Sequence, residues 1–229
     1  MEFNSFWNKY LILPTQNYFK AVYARLKSDW KQILIDYLIL LSVFTLFVLI
    51  DQLTKTFLFH HGGNPWKDSE SSLETIRPYQ KAYGGNLHTN WLIDLRFIWH
   101  RGVTFLPENV NIPFIQVLSI FLILVVFLKP ILIFHRSSYL LILLGILAAG
   151  AFGNALDRFI FNGFVKDLFY SGWFENWLQK PLGTFNFADF IIFTSVILII
   201  IRSIFSAFLV VDWKNKRLKV KSEEKESDK

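Results

Sequence analysis

The stretch Tyr139-Leu-Leu-Ile-Leu-Leu-Gly145-Ile-Leu-Ala-Ala149-Gly-Ala-Phe-Gly153-Asn154-Ala-Leu-Asp157-Arg158-Phe-Ile-Phe161 is apolar for the length that a helix needs to cross roughly 30 Å of hydrocarbon. Gly145, Ala149, Gly153 and Asp157 recur every four residues and form one ridge along it. Small side chains on that ridge let a neighbouring helix come close, and Asp157 continues the same packed face. Its carboxyl therefore points into a helix bundle and away from lipid. Carboxylates at membrane depth are costly and are usually retained for a function. The segment predicts a membrane protein with a polar site near one end of its helices.

Composition agrees. The chain has 229 residues, 53% of them hydrophobic and only 18% charged, which is less polar surface than a soluble domain of this size needs. It has no cysteine, which excludes disulfides and thiolate chemistry. Three more stretches are long and apolar enough to span: residues 33–49, continuing through Asp51 to residue 59; residues 113–134, interrupted by Lys129-Pro130; and residues 187–211, with Arg202 in the last third. No small-residue cleavage pattern follows the first, so it is not read as a removable signal. Phe- and Leu-rich runs without polar alternation argue against barrel strands.

The net charge of +6 belongs to membrane orientation and not to nucleic acid. Lys20, Arg25, Lys27 and Lys31 precede the first span, Lys129 and Arg136 flank the second turn, and Lys214, Lys216, Arg217, Lys219 and Lys221 follow the fourth span. Those regions are expected in the cytoplasm, with both termini, which leaves residues 60–112 and 162–183 outside. Asp51, Asp157, Asp167 and Asp189 then gather near the outer surface. Residues 1–32 form a cytoplasmic amphipathic extension, in which Phe19, Val22, Tyr23, Leu26 and Trp30 recur at helical spacing, as in a helix on the inner leaflet. Residues 33–211 are the four-helix membrane domain, and its outer segment 60–112 is expected to form a small β-rich cap. Residues 212–229 are a charged cytoplasmic tail, expected to be without regular structure. The fold class is thus an all-α membrane protein of four transmembrane helices, with that cap and an N-terminal interfacial helix.

Asn154 and Asp157 are three residues apart, as are Asn186 and Asp189, so each pair shares a helical face where the amide can orient the carboxylate. Two carboxylates brought together cannot both ionise easily. The charged one can then activate water while the protonated one donates to a carbonyl or leaving amine. The chain has no His-Glu-x-x-His and no serine in a nucleophilic context, and His60-His61 is more simply solvated than metal-binding. No metal or other cofactor is expected.

Asp51-Gln52-Leu53-Thr54-Lys55, Gly153-Asn154-Ala155-Leu156-Asp157-Arg158, Val165-Lys166-Asp167 and Phe185-Asn186-Phe187-Ala188-Asp189 follow one another in the order of the motifs of lipoprotein signal peptidases. Over residues 33–211 the chain resembles that family, signal peptidase II. The resemblance implies a bacterial cytoplasmic-membrane aspartic endopeptidase, working as a monomer with its site toward the outer face. Its substrates would be lipid-modified prolipoproteins, cut before a diacylglyceryl-modified cysteine. It implies Asp167 and Asp189 as the catalytic pair. Asn154, Asp157, Arg158, Asn186, Asp51 and Lys55 match supporting positions, and His100 replaces an asparagine that contacts substrate in the family.

Other readings stand beside these. Asp189 could serve only as a helix N-terminal carboxylate, and Asp167 could be an interfacial loop residue. Asp157 is read as structural, paired with Arg158 or Lys55, and Asp51 with Lys55 as an i,i+4 ion pair. The aromatic run at residues 170–177 is an interfacial belt or a lid. The rival function is a proton-coupled transporter using the same carboxylates, and a membrane scaffold is a further one.

Overall fold

Helix α4, Ser138–Ile160, is the element on which the other spans pack. In the computed structural model, which describes residues 13–59, 92–100, 111–133, 137–179 and 183–227, 56% of its span lies inside the protein, against 17% to 22% for the other three. Ser137 starts it by accepting the Leu140 N–H at 3.3 Å. The helix is central because its small residues admit neighbours on two sides. A Cβ on Gly145 would meet Leu40 O and Val43, and one on Gly153 would lie 2.4 Å from Asp51 Oδ2. That is the ridge expected from the four-residue spacing, and it faces helix α2, Trp30–Phe57. Gly150 belongs to a second face, toward helix α6, Phe187–Ser227, where a Cβ would be 2.6 Å from Ile192 Cγ1 and 2.7 Å from Ala188 O.

Backbone cannot yield as a flexible side chain can, so Gly150→Ala must push α6 off α4. It is expected to lower stability by about 1–3 kcal/mol. Thermal unfolding in detergent checks this, and an unshifted midpoint would show that the two helices are not held this close.

Four membrane-length helices are present among the described residues: α2, α3 (Ile112–Leu132), α4 and the Phe187–Ser206 part of α6. A proline in the first turn of α3 suits a position whose N–H has no helical partner. Helix α1, Leu13–Ser28, precedes α2 and breaks from it at Asp29. Its Arg25 is buried and donates to the carbonyls of Ile133 at 2.7 Å and Ile131 at 3.4 Å, and the Tyr18 hydroxyl donates to that of Leu132, so α1 satisfies the end of α3. The charged tail does not lack regular structure: α6 continues through it to Ser227. Its Lys, Glu and Arg side chains are good helix formers, and a helix already nucleated in the membrane has only to be extended.

The β element differs from expectation in its partners. Strand β1, Asp94–His100, comes from the outer segment, and it pairs antiparallel with β2, Val165–Tyr170, so that Ile98 faces Asp167 and His100 faces Val165. Asp167 therefore stands on a strand and not in a loop. Both faces of β2 are largely buried, which leaves no apolar–polar alternation to read. Beneath the sheet, Phe59, Trp99, Phe164 and Leu168 form a core. The short helix α5, Gly172–Leu178, follows and carries Trp173 and Trp177 stacked at 6.0 Å. The remainder of the expected cap, with His60-His61, lies outside the described residues.

Candidate active site

The site is built in two tiers on the end of the bundle beside the sheet. The lower tier is an ion cluster with essentially no solvent contact. Lys55 Nζ lies 2.9 Å from Asp51 Oδ2, 3.1 Å from Asp157 Oδ2 and 3.1 Å from Asn154 Oδ1, so each of its N–H groups has an acceptor. The i,i+4 pair on α2 thus forms, and Asp157 pairs with Lys55, not Arg158. Asp157 also receives the Lys166 N–H at 3.3 Å, which ties the start of β2 to α4. Asp51 has a second task. Its Oδ1 accepts the Ala188 N–H at 2.9 Å, satisfying a donor in the first turn of α6 and opposing that helix's dipole. Gln52, a residue the motif contained but no role was read for, donates to Asp51 Oδ2 at 3.0 Å.

The upper tier holds the other two aspartates. Asn186 is the residue before α6. Its Oδ1 accepts the Asp189 N–H at 2.9 Å while Asp189 Oδ2 accepts the Asn186 N–H at 3.2 Å. This reciprocal cap explains the three-residue spacing, and it fixes the Asp189 carboxyl at the mouth of the helix. The Asn186 amide then donates to Asp167 Oδ1 at 2.8 Å and to Asn154 Oδ1 at 3.0 Å. Asn154 in turn donates to Asp189 Oδ1 at 2.7 Å. The two amides thus link the two carboxylates and lean on Lys55 below.

One expectation is corrected here. Asn154 was expected to orient Asp157 on its own helix, but its amide is turned across to Asp189. Lys55 and the Lys166 N–H already occupy Asp157, so the spacing alone misreads the partner.

Asp167 is buried, and burial pushes its carboxyl up to about 6, with a hydrogen bond from His100 opposing the rise and the charge of Asp189 adding to it. His100 Nδ1 lies 3.2 Å from Asp167 Oδ2, and that bond raises the imidazole above its ordinary value. Arg158 bonds back to Asn154 O at 3.3 Å and lines the same space as the aspartates.

That space is a cavity of about 360 Å³. Asp167, Asp189, Asn154, Arg158 and His100 form its polar end. Its walls are apolar: Ile115, Leu118 and Leu122 from α3 face Ile192, Phe193 and Val196 from α6. Helices α3 and α6 both flank α4 but make little contact with each other, and the cavity lies between them. An unforeseen clasp braces the polar end. Arg96 of β1 pairs with Glu175 of α5 at 2.6 Å, bonds Thr184 Oγ1 at 3.0 Å and covers the Tyr170 ring at 4.1 Å. The strand carrying Asp167 and the chain leading to Asp189 are thereby held together. No group of three or more His, Cys, Asp or Glu side chains suited to a metal ion occurs among the described residues.

Membrane-length helices with a pair of amide-linked aspartates at one end, one buried and one half-buried, define a membrane aspartic peptidase. The model of the peptidase family described as "Signal peptidase (SPase) II" matches residues 43–205, and the chain belongs to that family. It is 30% identical over 118 residues to the lipoprotein signal peptidases of Campylobacter jejuni subsp. doylei and of a C. jejuni subsp. jejuni strain. Each match covers 49% of this chain and 69% of the relative. Two solved structures described as bacterial membrane enzymes align with TM-scores of 0.49 and 0.48 and identities of 19% and 20%. They cover 72% and 71% of this chain and 87% and 90% of their own.

Proposed function

We propose that this signal peptidase hydrolyses the bond before a diacylglyceryl-modified cysteine of a prolipoprotein, with Asp167 and Asp189 as its catalytic pair. The observation that carries this reading is their common cavity: both carboxyls border it and both are held by the Asn154–Asn186 amides. In the step proposed, the ionised carboxyl takes a proton from a water molecule as its oxygen attacks the scissile carbonyl. The protonated carboxyl gives its proton to the carbonyl oxygen. Collapse of the tetrahedral intermediate returns a proton to the departing amine of the cysteine, which leaves as its C–N bond breaks. Asp167, buried and raised to about 6, is suited to hold the shared proton. No other residue need form a bond to substrate.

The apolar walls between α3 and α6 suit acyl chains that arrive from the bilayer side, while the peptide reaches the polar end. The site is complete within one chain, in keeping with a monomer. Lys and Arg at the opposite end of the helices support a cytoplasmic placement of both termini and an outward site. Phe19 and Tyr23 of α1 are exposed beside Val22 and Arg25, which face the protein, so that apolar stripe fits the inner-leaflet lipid. A proton-coupled transporter is less well supported: the carboxylates cluster at one end of the helices, and Asp51 and Asp157 are engaged by Lys55.

The experiment compares a prolipoprotein bearing diacylglyceryl on its cysteine with the same precursor unmodified, using purified protein in detergent. Cleavage of the lipidated form at least tenfold faster is expected. Equal rates would remove the lipid from the recognition, and no cleavage of either would remove the activity.

A further inference from the structure

His100 ends β1, and lines the cavity beside both aspartates. Its Nδ1 meets Asp167 Oδ2 at 3.2 Å, while the opposite oxygen of that carboxyl accepts from Asn186 at 2.8 Å. Asp167 is therefore gripped from two sides, and only the histidine grip can carry charge. We propose that His100 is a positioning residue for the catalytic pair: its Nδ1–H orients Asp167, and its imidazolium sets the pH range over which the pair holds one proton. This rests on the peptidase reading given above.

The surroundings favour the charged imidazole. Asp167 on β2 and Asp189 on α6 both attract it, whereas Arg158 on α4 opposes it. The α3 wall adds Ile115, Leu118, Ser119 and Leu122, none of which titrates at these pH values. Lys55 on α2 acts on Asp167 from the far side. The bond that raises His100 also pulls Asp167 down against its burial, so each group favours the charged form of the other. An aspartate pair works with one proton shared between two carboxyls. A neighbouring cation shifts both of its proton-binding steps toward acid. With His100 charged, the singly protonated pair is available at lower pH than burial alone would allow. His100 is 35% exposed on its side chain, open enough to exchange protons with solvent.

His100→Asn keeps an N–H within reach of Asp167 and removes the charge. The pH profile of kcat/KM on the lipidated precursor is expected to move toward alkali by about one unit. The variant should lose about tenfold against the parent on the acid side and exceed it on the alkaline side, so that the curves cross. Superimposed profiles, or a loss of the same size at every pH, would overturn the proposal, because a residue that merely shapes the cavity lowers activity uniformly. A second measurement needs no catalysis. The NMR titration of His100 in the full chain, assigned from its absence in H100N, should fall by about one unit in Asp167→Asn. An unmoved titration overturns the pairing. Continued cleavage by Asp167→Asn overturns the peptidase reading instead, so the two failures are distinguishable.

Discussion

Asp167→Asn and Asp189→Asn are each expected to lower cleavage of the lipidated precursor by about a thousandfold or more, since in the proposed mechanism each removes a group that moves a proton. Their effects on stability should differ in how they depend on pH. Asp167 has a folded value of about 6 against an ordinary 3.8, so its ionised form is disfavoured in the folded protein. The sign follows from linkage. A carboxyl raised on folding is at no disadvantage below 3.8, and its cost accumulates as pH rises to about 6. Asp167→Asn cannot ionise and escapes that cost, so its stability relative to the parent should rise by up to about 3 kcal/mol between pH 4 and pH 7, on top of a constant loss from turning an N–H toward Asn186 or His100.

Asp189 has the same two-sided arrangement, its oxygens accepting from the Asn154 amide and from the Asn186 N–H, but it also closes the cap of α6. An asparagine there has only one acceptor oxygen and turns its own N–H toward one of those donors. A loss of about 1–3 kcal/mol is expected at pH 7. Cleavage assays combined with thermal unfolding at pH 4 and pH 7 test both halves. A catalytically competent Asp189→Asn would remove that residue from the chemistry. An Asp167→Asn that gains nothing on the parent between pH 4 and pH 7 would show that the charge is welcome where it lies.

Those contrasts explain which parts of the site could be read from the sequence. Span lengths and the small-residue ridge depend on local periodicity, and they appear in α2, α3, α4 and α6 within a few residues of where the pattern puts them. The Asn186–Asp189 pair is legible for the same reason: a three-residue spacing at a helix start is a local device. Partners across elements are another matter. Nothing near Asn154 in the chain says that its amide crosses to Asp189, because Lys55, 99 residues earlier, takes its oxygen and frees its N–H groups for α6. Gly150 sits on the second face of α4, and a four-residue ridge through Gly145 and Gly153 cannot reveal it. Strand β2 hides because both its faces are buried, and the Arg96 clasp because its partners are scattered over β2, α5 and the chain before α6. The motifs bring these carboxylates to notice; the contacts that hold them are long-range.

Lys55 is where those long-range contacts converge, and Lys55→Met should have the largest structural effect of any single substitution in the site. Methionine fills nearly the same volume, so the experiment removes charge and donors without opening a large cavity. Asp51 and Asp157, both with about 1% exposure or less, are then left facing each other with no cation between them. Breaking a buried ion cluster by removing one partner costs about 3–5 kcal/mol, far more than the intact cluster contributes over an apolar replacement. Thermal unfolding in detergent at neutral pH should show that loss. Adding Asp157→Asn removes one of the stranded carboxylates while Asp51 keeps the Gln52 amide and the Ala188 N–H. The double variant should thus be more stable than Lys55→Met alone, a coupling of about 0.5–3 kcal/mol in the mutant cycle. Activity should not return with stability. Asn154 loses the ammonium on its oxygen and keeps only the Asn186 amide there, so the hydrogen bond to Asp189 is held less firmly. A double variant that regains full cleavage would show that the lower tier only supports the fold; one that regains stability and stays slow would show that it also aims the catalytic pair.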